Sequence, residues 1–127
     1  MPLVRVALPR GTSAAHRQAI SDGIHQSLVE VFKVPPDDRF QIIGEHEAGT
    51  EIVRPKSYLG VEYSDKLIIV QITANDTRTT EQKVALYKDI ATRLTQATGM
   101  RAEDIVISLV EVKKENWSFG NGVAQYV

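Results

Sequence analysis

The chain contains no cysteine, which excludes disulfides, thiolate metal sites and a cysteine nucleophile. It also has almost no net charge, because 15 lysines and arginines stand against 16 aspartates and glutamates. Such a chain has no electrostatic footprint for nucleic acid or an anionic membrane. No basic segment leads into a long apolar run at the amino end, so neither a signal peptide nor a membrane span is expected, and a cytoplasmic protein is. Arg10-Gly11-Thr12-Ser13 lacks the glycine spacing and the lysine of a phosphate loop, and no G-x-S-x-G elbow points to a serine nucleophile. His16 and His25 lie nine residues apart, on opposite sides of a helix. His46 stands between Glu45 and Glu47, where strand alternation turns it away from both. No metal site is expected.

What is present is a repeat. At 127 residues the chain fits one domain spanning 1–127, and it resembles itself at an offset of 66. Val4 to Leu8 and Leu67 to Thr73 both read as strands. Each precedes a helical pattern: Ile20, Ile24, Leu28, Val31 and Phe32 in the first half, and Val84, Tyr87, Ile90, Ala91 and Leu94 in the second. Thr79 and Gln82 form a capping-box pattern at the start of the second helix. The first helix must stop before Pro35-Pro36, and the second stops at Gly99. Strands follow at Arg39 to His46 and Ile105 to Val112.

The expected architecture is α+β, a tandem βαβ repeat in a four-stranded sheet with both helices on one face. Each helical crossover makes its two strands parallel. The halves run over about 2–46 and 67–112, joined by a hairpin or loop over 47–66 and followed by a C-terminal hairpin over 113–127, with Asn121-Gly122 as its turn signal. Because Leu67 to Ile72 and Ile105 to Val110 are almost continuously apolar, the face without helices needs a cover. Self-association supplies it.

Pro2 is the candidate for chemistry. Methionine ahead of a small second residue is normally trimmed, which would leave a proline nitrogen as the chain terminus. An α-amine titrates near pH 7.7–8.0 in general, and burial or neighbouring cations lower that. Neutral, it serves as a general base; protonated, as a general acid. Arg5 and Arg39 are placed to depress its pKa, and Asp38 to raise it. Arg78 supplies a cation for an acid, and Trp117 with Phe119 an apolar wall. Each also has a structural reading. Asp38 and its repeat equivalent Asp104 occupy like turns, where aspartates commonly bond backbone, and Trp117 and Phe119 suit a core or subunit contact.

Pro2 heading the first strand, the doubled βαβ unit, Val34-Pro35-Pro36-Asp37-Asp38-Arg39-Phe40-Gln41, Arg78-Thr79-Thr80-Glu81-Gln82-Lys83 and Trp117-Ser118-Phe119-Gly120 together resemble the tautomerase superfamily. Within it, the chain looks like the malonate semialdehyde decarboxylase group. The resemblance implies a homotrimer and cofactor-free chemistry on a small oxo or enol acid. Pro2 would move the proton, Asp38 would orient or activate water, and Arg78 would hold the substrate carboxylate. A second arginine of the family motif falls on Asp76, where an aspartate repels a carboxylate and is placed to pair with Arg78. The expected activity is keto–enol isomerisation of a 2-oxo acid such as phenylpyruvate. The alternatives are decarboxylation or hydration of a three-carbon oxo acid, or a trimeric binding module that has lost the chemistry.

Overall fold

The computed structural model describes residues 1–127. The elements run β1 (Leu3–Pro9), α1 (Ala14–Phe32), β2 (Phe40–His46), β3 (Ser57–Tyr58), β4 (Val61–Glu62), β5 (Ile68–Asn75), α2 (Thr80–Thr98) and β6 (Ile105–Val112), with 3₁₀ turns at Ala102–Asp104 and Lys114–Asn116. The main sheet has the order β2-β1-β5-β6. β1 runs parallel to β2, β5 runs parallel to β6, and the two units meet antiparallel through β1 and β5.

Strand alternation divides the sheet into two unlike faces. Val4, Val6 and Leu8 of β1 and Ile68, Val70, Ile72 and Ala74 of β5 are buried beneath the helices. They meet Ile20, Ile24, Leu28 and Phe32 of α1 and Leu86, Ile90 and Leu94 of α2 in one core cluster. Each such Val, Leu, Ile or Phe side chain contributes about 1.5–3 kcal/mol by leaving water. Gly23 lets the two helices approach, since a Cβ there would lie 2.8 Å from Leu94 Cδ2. The buried stripe of α2 differs from the expected one. Val84 is 60% exposed, and Leu86 takes the core position, because two residues along a helix turn the side chain through about 200°.

The helix caps follow the sequence signals. Ser13 accepts from the His16 amide at α1, and Thr79 with Gln82 closes a reciprocal capping box at α2. Both helices end in a left-handed residue, Lys33 at φ 59° and Gly99 at φ 75°. No helix is long and apolar enough to cross a membrane.

The opposite face has no cover. Across it run the rows Phe40–Leu3–Thr73–Val110, Ile42–Arg5–Gln71–Ser108 and Gly44–Ala7–Ile69–Val106. Phe40, Ile42 and Val110 stay about half exposed. Arg5 therefore points into this face.

Residues 113–127 do not form the expected hairpin. After the 3₁₀ turn at Lys114–Asn116 the tail holds only turns. The Gln125 side chain closes it by accepting from the Phe119 amide at 2.9 Å and donating to the Gly120 carbonyl at 3.2 Å. Asn121 still takes the left-handed turn conformation, φ 57°, but the chain beyond it packs aromatics instead of a second strand. Between the halves, β3 and β4 form a two-by-two-residue hairpin.

Candidate active site

The register brings four strand ends together. Leu3 at the start of β1 pairs with Phe40 at the start of β2 and with Thr73 near the end of β5, and Thr73 pairs with Val110 late in β6. Pro2, the α1–β2 turn, the β5–α2 loop and the tail after β6 therefore share one end of the sheet. Pro2 is buried there, and Met1 is half-buried.

The turn that carries Asp38 is held from α1. Buried His25 donates through Nε2 to the Pro36 carbonyl at 2.7 Å, and the Asp38 amide donates to Pro35 O at 2.9 Å. This fixes the backbone and leaves the carboxylate free. Asp38 Oδ1 is buried and has no hydrogen-bond partner, an arrangement that costs free energy unless a ligand, a water or a cation meets it. Its repeat equivalent behaves differently. Asp104 is fully buried and accepts from the Ser64 amide at 2.8 Å and the Ser64 hydroxyl at 2.5 Å. The shared backbone-bonding role read from the two turns thus holds for Asp104 alone.

Arg78 is half-buried in the β5–α2 loop. It donates through Nη2 to the Phe32 carbonyl at 2.7 Å and through Nη1 to Thr77 Oγ1 at 3.1 Å. Its guanidinium carbon lies 4.8 Å from the centre of the Phe32 ring, an attractive cation–π arrangement. The expected Asp76–Arg78 pair does not form. The Asp76 amide is tied to Val112 O at 3.0 Å, its side chain is exposed, and Arg78 is drawn instead to the end of α1.

The tail supplies an aromatic wall. Trp117 Nε1 donates to Asn75 Oδ1 at 2.8 Å, anchoring the tail to the end of β5. Trp117 stacks on Phe119 at 5.4 Å, Phe119 meets Tyr126 edge-on at 5.2 Å and lies 6.4 Å from Phe40. Trp117 and Phe119 are each half-buried.

The amine that ends the chain in this structure is that of Met1. Burial, the largest influence, lowers its pKa from the ordinary α-amino value; Asp38 raises it, and Arg78 and Lys114 lower it. Met1 turns the Pro2 nitrogen into an amide without a proton to exchange, so the Met1 amine stands in for a Pro2 amine, reporting the field one residue along the chain from it. Arg39 is not among these influences. It pairs with Asp22 on the surface of α1 at 2.8 Å, and Arg5 faces the open side of the sheet. Burial also lowers the pKa of Arg78, against an opposing influence from Tyr126.

Sequence reasoning missed Lys114, Phe40, Tyr126, Asn75 and His25. Phe40 was within reach, because it follows Asp38 in the same short motif. Tyr126 and Lys114 carry no local signal, since a tail without strands has no register to place them.

A cleft of about 490 Å³ opens at the other end of the sheet, lined by residues including Arg10, Thr12, Lys66, Ile68, Arg101 and Asp104. By the 66-residue offset it is the repeat counterpart of the Pro2 end, with Ile68 for Pro2, Asp104 for Asp38 and Thr12 for Arg78. Its charges are largely committed. Arg10 pairs with Glu47 and Glu51, and Arg101 with Glu103 and Asp104. We therefore place the candidate site at the Pro2 end, where polar groups remain unspent.

Comparison with known proteins accords with this geometry. Two family models, each described as tautomerase enzyme, match residues 38–120 and residues 2–58. The probable tautomerase YusQ of Bacillus subtilis (strain 168) is 45% identical over 127 residues, covering 100% of this chain and 99% of that one. A crystal structure of FG41 malonate semialdehyde decarboxylase inhibited by 3-bromopropiolate superposes with a TM-score of 0.90 at 35% identity, covering 98% and 93% of the two chains. A further malonate semialdehyde decarboxylase, whose structures address decarboxylase and hydratase activities, gives 0.88 at 30% identity, covering 98% and 95%. A doubled βαβ fold, a buried proline at the head of β1 and these matches place the chain in the tautomerase enzyme family.

Proposed function

We propose that this protein is a cofactor-free tautomerase in which Pro2, freed of Met1, is the acid–base catalyst for keto–enol isomerisation of a small 2-oxo acid. The observation that carries the reading is the setting of buried Pro2 beside the chain-terminal amine of Met1, whose pKa burial lowers, Asp38 raises, and Arg78 and Lys114 lower. A depressed pKa keeps more of the amine neutral near pH 7, the form a base requires. The neutral Pro2 nitrogen takes the enol O–H proton, and the oxygen lone pair forms the carbonyl. The displaced carbon–carbon π pair then takes the same proton back from the prolinium at the neighbouring carbon. Arg78 holds the acid, and Trp117, Phe119 and Phe40 enclose its apolar end.

The uncovered sheet face supports a homotrimer, in which half-exposed Ile42 and Val110 would be buried between subunits. One observation favours a second reaction, decarboxylation or hydration of a three-carbon oxo acid. The unpartnered Asp38 oxygen suits the orienting of a water, and the two decarboxylase structures are similar over nearly the whole chain. Asp76 opposes it, because it stands where the resemblance puts a second arginine and repels the acid's carboxylate.

The test follows the loss of enol phenylpyruvate by ultraviolet absorbance, using protein whose intact mass confirms removal of Met1. Pro2→Ala should lower kcat/KM by about 10²–10⁴-fold, the range for losing a positioned acid–base group. Equal rates in the two proteins would remove Pro2 from the mechanism, and no turnover in either would direct attention to the oxo-acid decarboxylation.

A further inference from the structure

We infer that Lys114 is a second carboxylate-holding cation of this site, taking the place left by Asp76 and so setting the preference for an acid substrate. This rests on the small-acid reading above and deepens it.

The first support is the state of Arg78. Its Nη2 is spent on Phe32 O and its Nη1 on Thr77 Oγ1, and one guanidinium face is laid against the Phe32 ring. A bidentate fork grips a carboxylate with two free N–H groups on one edge, and here one N–H of each terminal nitrogen already donates to the protein. Arg78 is left with a partial grip, beside the exposed negative charge of Asp76.

The second support is where the backbone puts Lys114. The Asp76 amide is bonded to Val112 O, and Trp117 Nε1 to Asn75 Oδ1. Two tethers thus clamp the segment between 112 and 117 onto the loop that carries Asp76 and Arg78, with Lys114 between them. Its Nζ lies 6.0 Å from the centre of the Tyr126 ring, and Tyr126 meets Phe119 edge-on. The ammonium is therefore held at the rim of the aromatic wall. No carboxylate of the chain lies within ion-pair distance of it, whereas Lys83 is paired with Glu111 on the adjoining strand. An unpaired cation beside an aromatic wall offers an incoming acid a partner without first breaking an internal one. Lys114 also acts on the chain-terminal amine of Met1 in the same sense as Arg78.

The test uses binding, which does not depend on turnover. Trp117 is the single tryptophan, so its fluorescence reports ligands at the wall. The full-length protein is titrated with 3-phenylpropanoate, an acid without a reacting carbonyl, and with the neutral 3-phenylpropanamide. Lys114→Met should weaken the acid about 5-fold, the upper range for an exposed charge pair, and leave the amide unchanged. Lys114→Arg should restore the acid. Adding Asp76→Arg to Lys114→Met should restore it too, by putting the cation back on the neighbouring loop. The amide serves as the folding control for each variant. Acid affinity unchanged in Lys114→Met, loss of acid and amide together, or no acid preference in the unaltered protein would each overturn the inference. The same titration in Pro2→Ala separates the two ideas. Equal turnover in Pro2→Ala and the unaltered protein, with the acid preference intact in both, sinks the Pro2-catalysed reading and leaves Lys114 in its role.

Discussion

Replacing each of the repeat-equivalent aspartates by asparagine tests the division of labour between the two ends of the sheet. At Asp104 the carboxylate is fully buried, accepts twice from Ser64, and has Arg101 Nη1 at 3.5 Å. Asparagine keeps the shape. Its oxygen can still accept from the Ser64 amide, and its nitrogen must donate to a Ser64 hydroxyl that already accepts from the Lys66 amide at 3.1 Å. What is lost is the charge in these contacts. Hydrogen bonds to a charged group contribute about 1.5–3 kcal/mol, so Asp104→Asn should cost about 2 kcal/mol. With an unfolding entropy of about 2.1 cal/mol/K per residue over 127 residues, or about 0.27 kcal/mol/K, Tm should fall by about 7 °C. At Asp38 the buried oxygen has no partner to lose, so Asp38→Asn should leave Tm within about 2 °C, the surface-substitution range, while lowering turnover. Both are read by circular dichroism melting at one fixed protein concentration, because subunit association shifts Tm by mass action. Equal shifts for the two variants would refute the reasoning, as would a larger loss at Asp38.

Two other outcomes are open to direct measurement. In the pH profile of kcat/KM, the limb set by the free-enzyme base should rise below the ordinary α-amino range of about 7.7–8.0, because the amine pKa is lowered; Asp38→Asn removes the raising influence and should move it lower still, and Lys114→Met should move it up. A limb near pH 8 that ignores both substitutions would contradict the electrostatic account. Ile42→Glu and Val110→Glu place charges on the uncovered face, away from the helix-side core. Light scattering should then find a mass near 14.1 kDa in place of about three times that value, with the helix content retained; an unchanged mass would show that the association surface lies elsewhere.

The parts of the fold that were legible in the sequence are those fixed by local rules. Thr79 with Gln82, the break at Pro35-Pro36 and Gly99 are backbone instructions carried by a few neighbouring residues. The parallel pairs followed from helical crossovers, and the uncovered face from apolar strands that had too few helices. The errors arose where tertiary partners decide. Val84 fits a helical stripe as well as Leu86 does until the sheet selects a phase. The pairing of Asp76 with Arg78 was reasonable for an isolated loop, but the Phe32 carbonyl at the open end of α1 is a competing acceptor that only the packed helix presents. Arg39 turned to Asp22 for the same reason. The tail failed as a hairpin where its rings meet instead: Trp117 stacks on Phe119, which contacts Tyr126 and Phe40, partners that no local turn signal encodes.

The asymmetry between the two ends follows from the energetics of unsatisfied groups. A duplicated βαβ fold offers the same strand-end corner twice, with an aspartate at 38 and at 104 and a polar helix cap at Thr79 and at Ser13. Leaving a polar atom buried without a partner costs about 1–3 kcal/mol, a large share of the marginal stability of a domain. At the second corner, Ser64 and Arg101 close Asp104, and Glu47 and Glu51 neutralise Arg10, so that corner joins the two halves and contributes to stability. At the first corner one oxygen of Asp38 has no partner, Lys114 has no acid within ion-pair distance, and the amine lies where burial opposes its proton. The first corner therefore carries that unmet cost, and a group placed to meet a substrate must be short of partners before the substrate arrives.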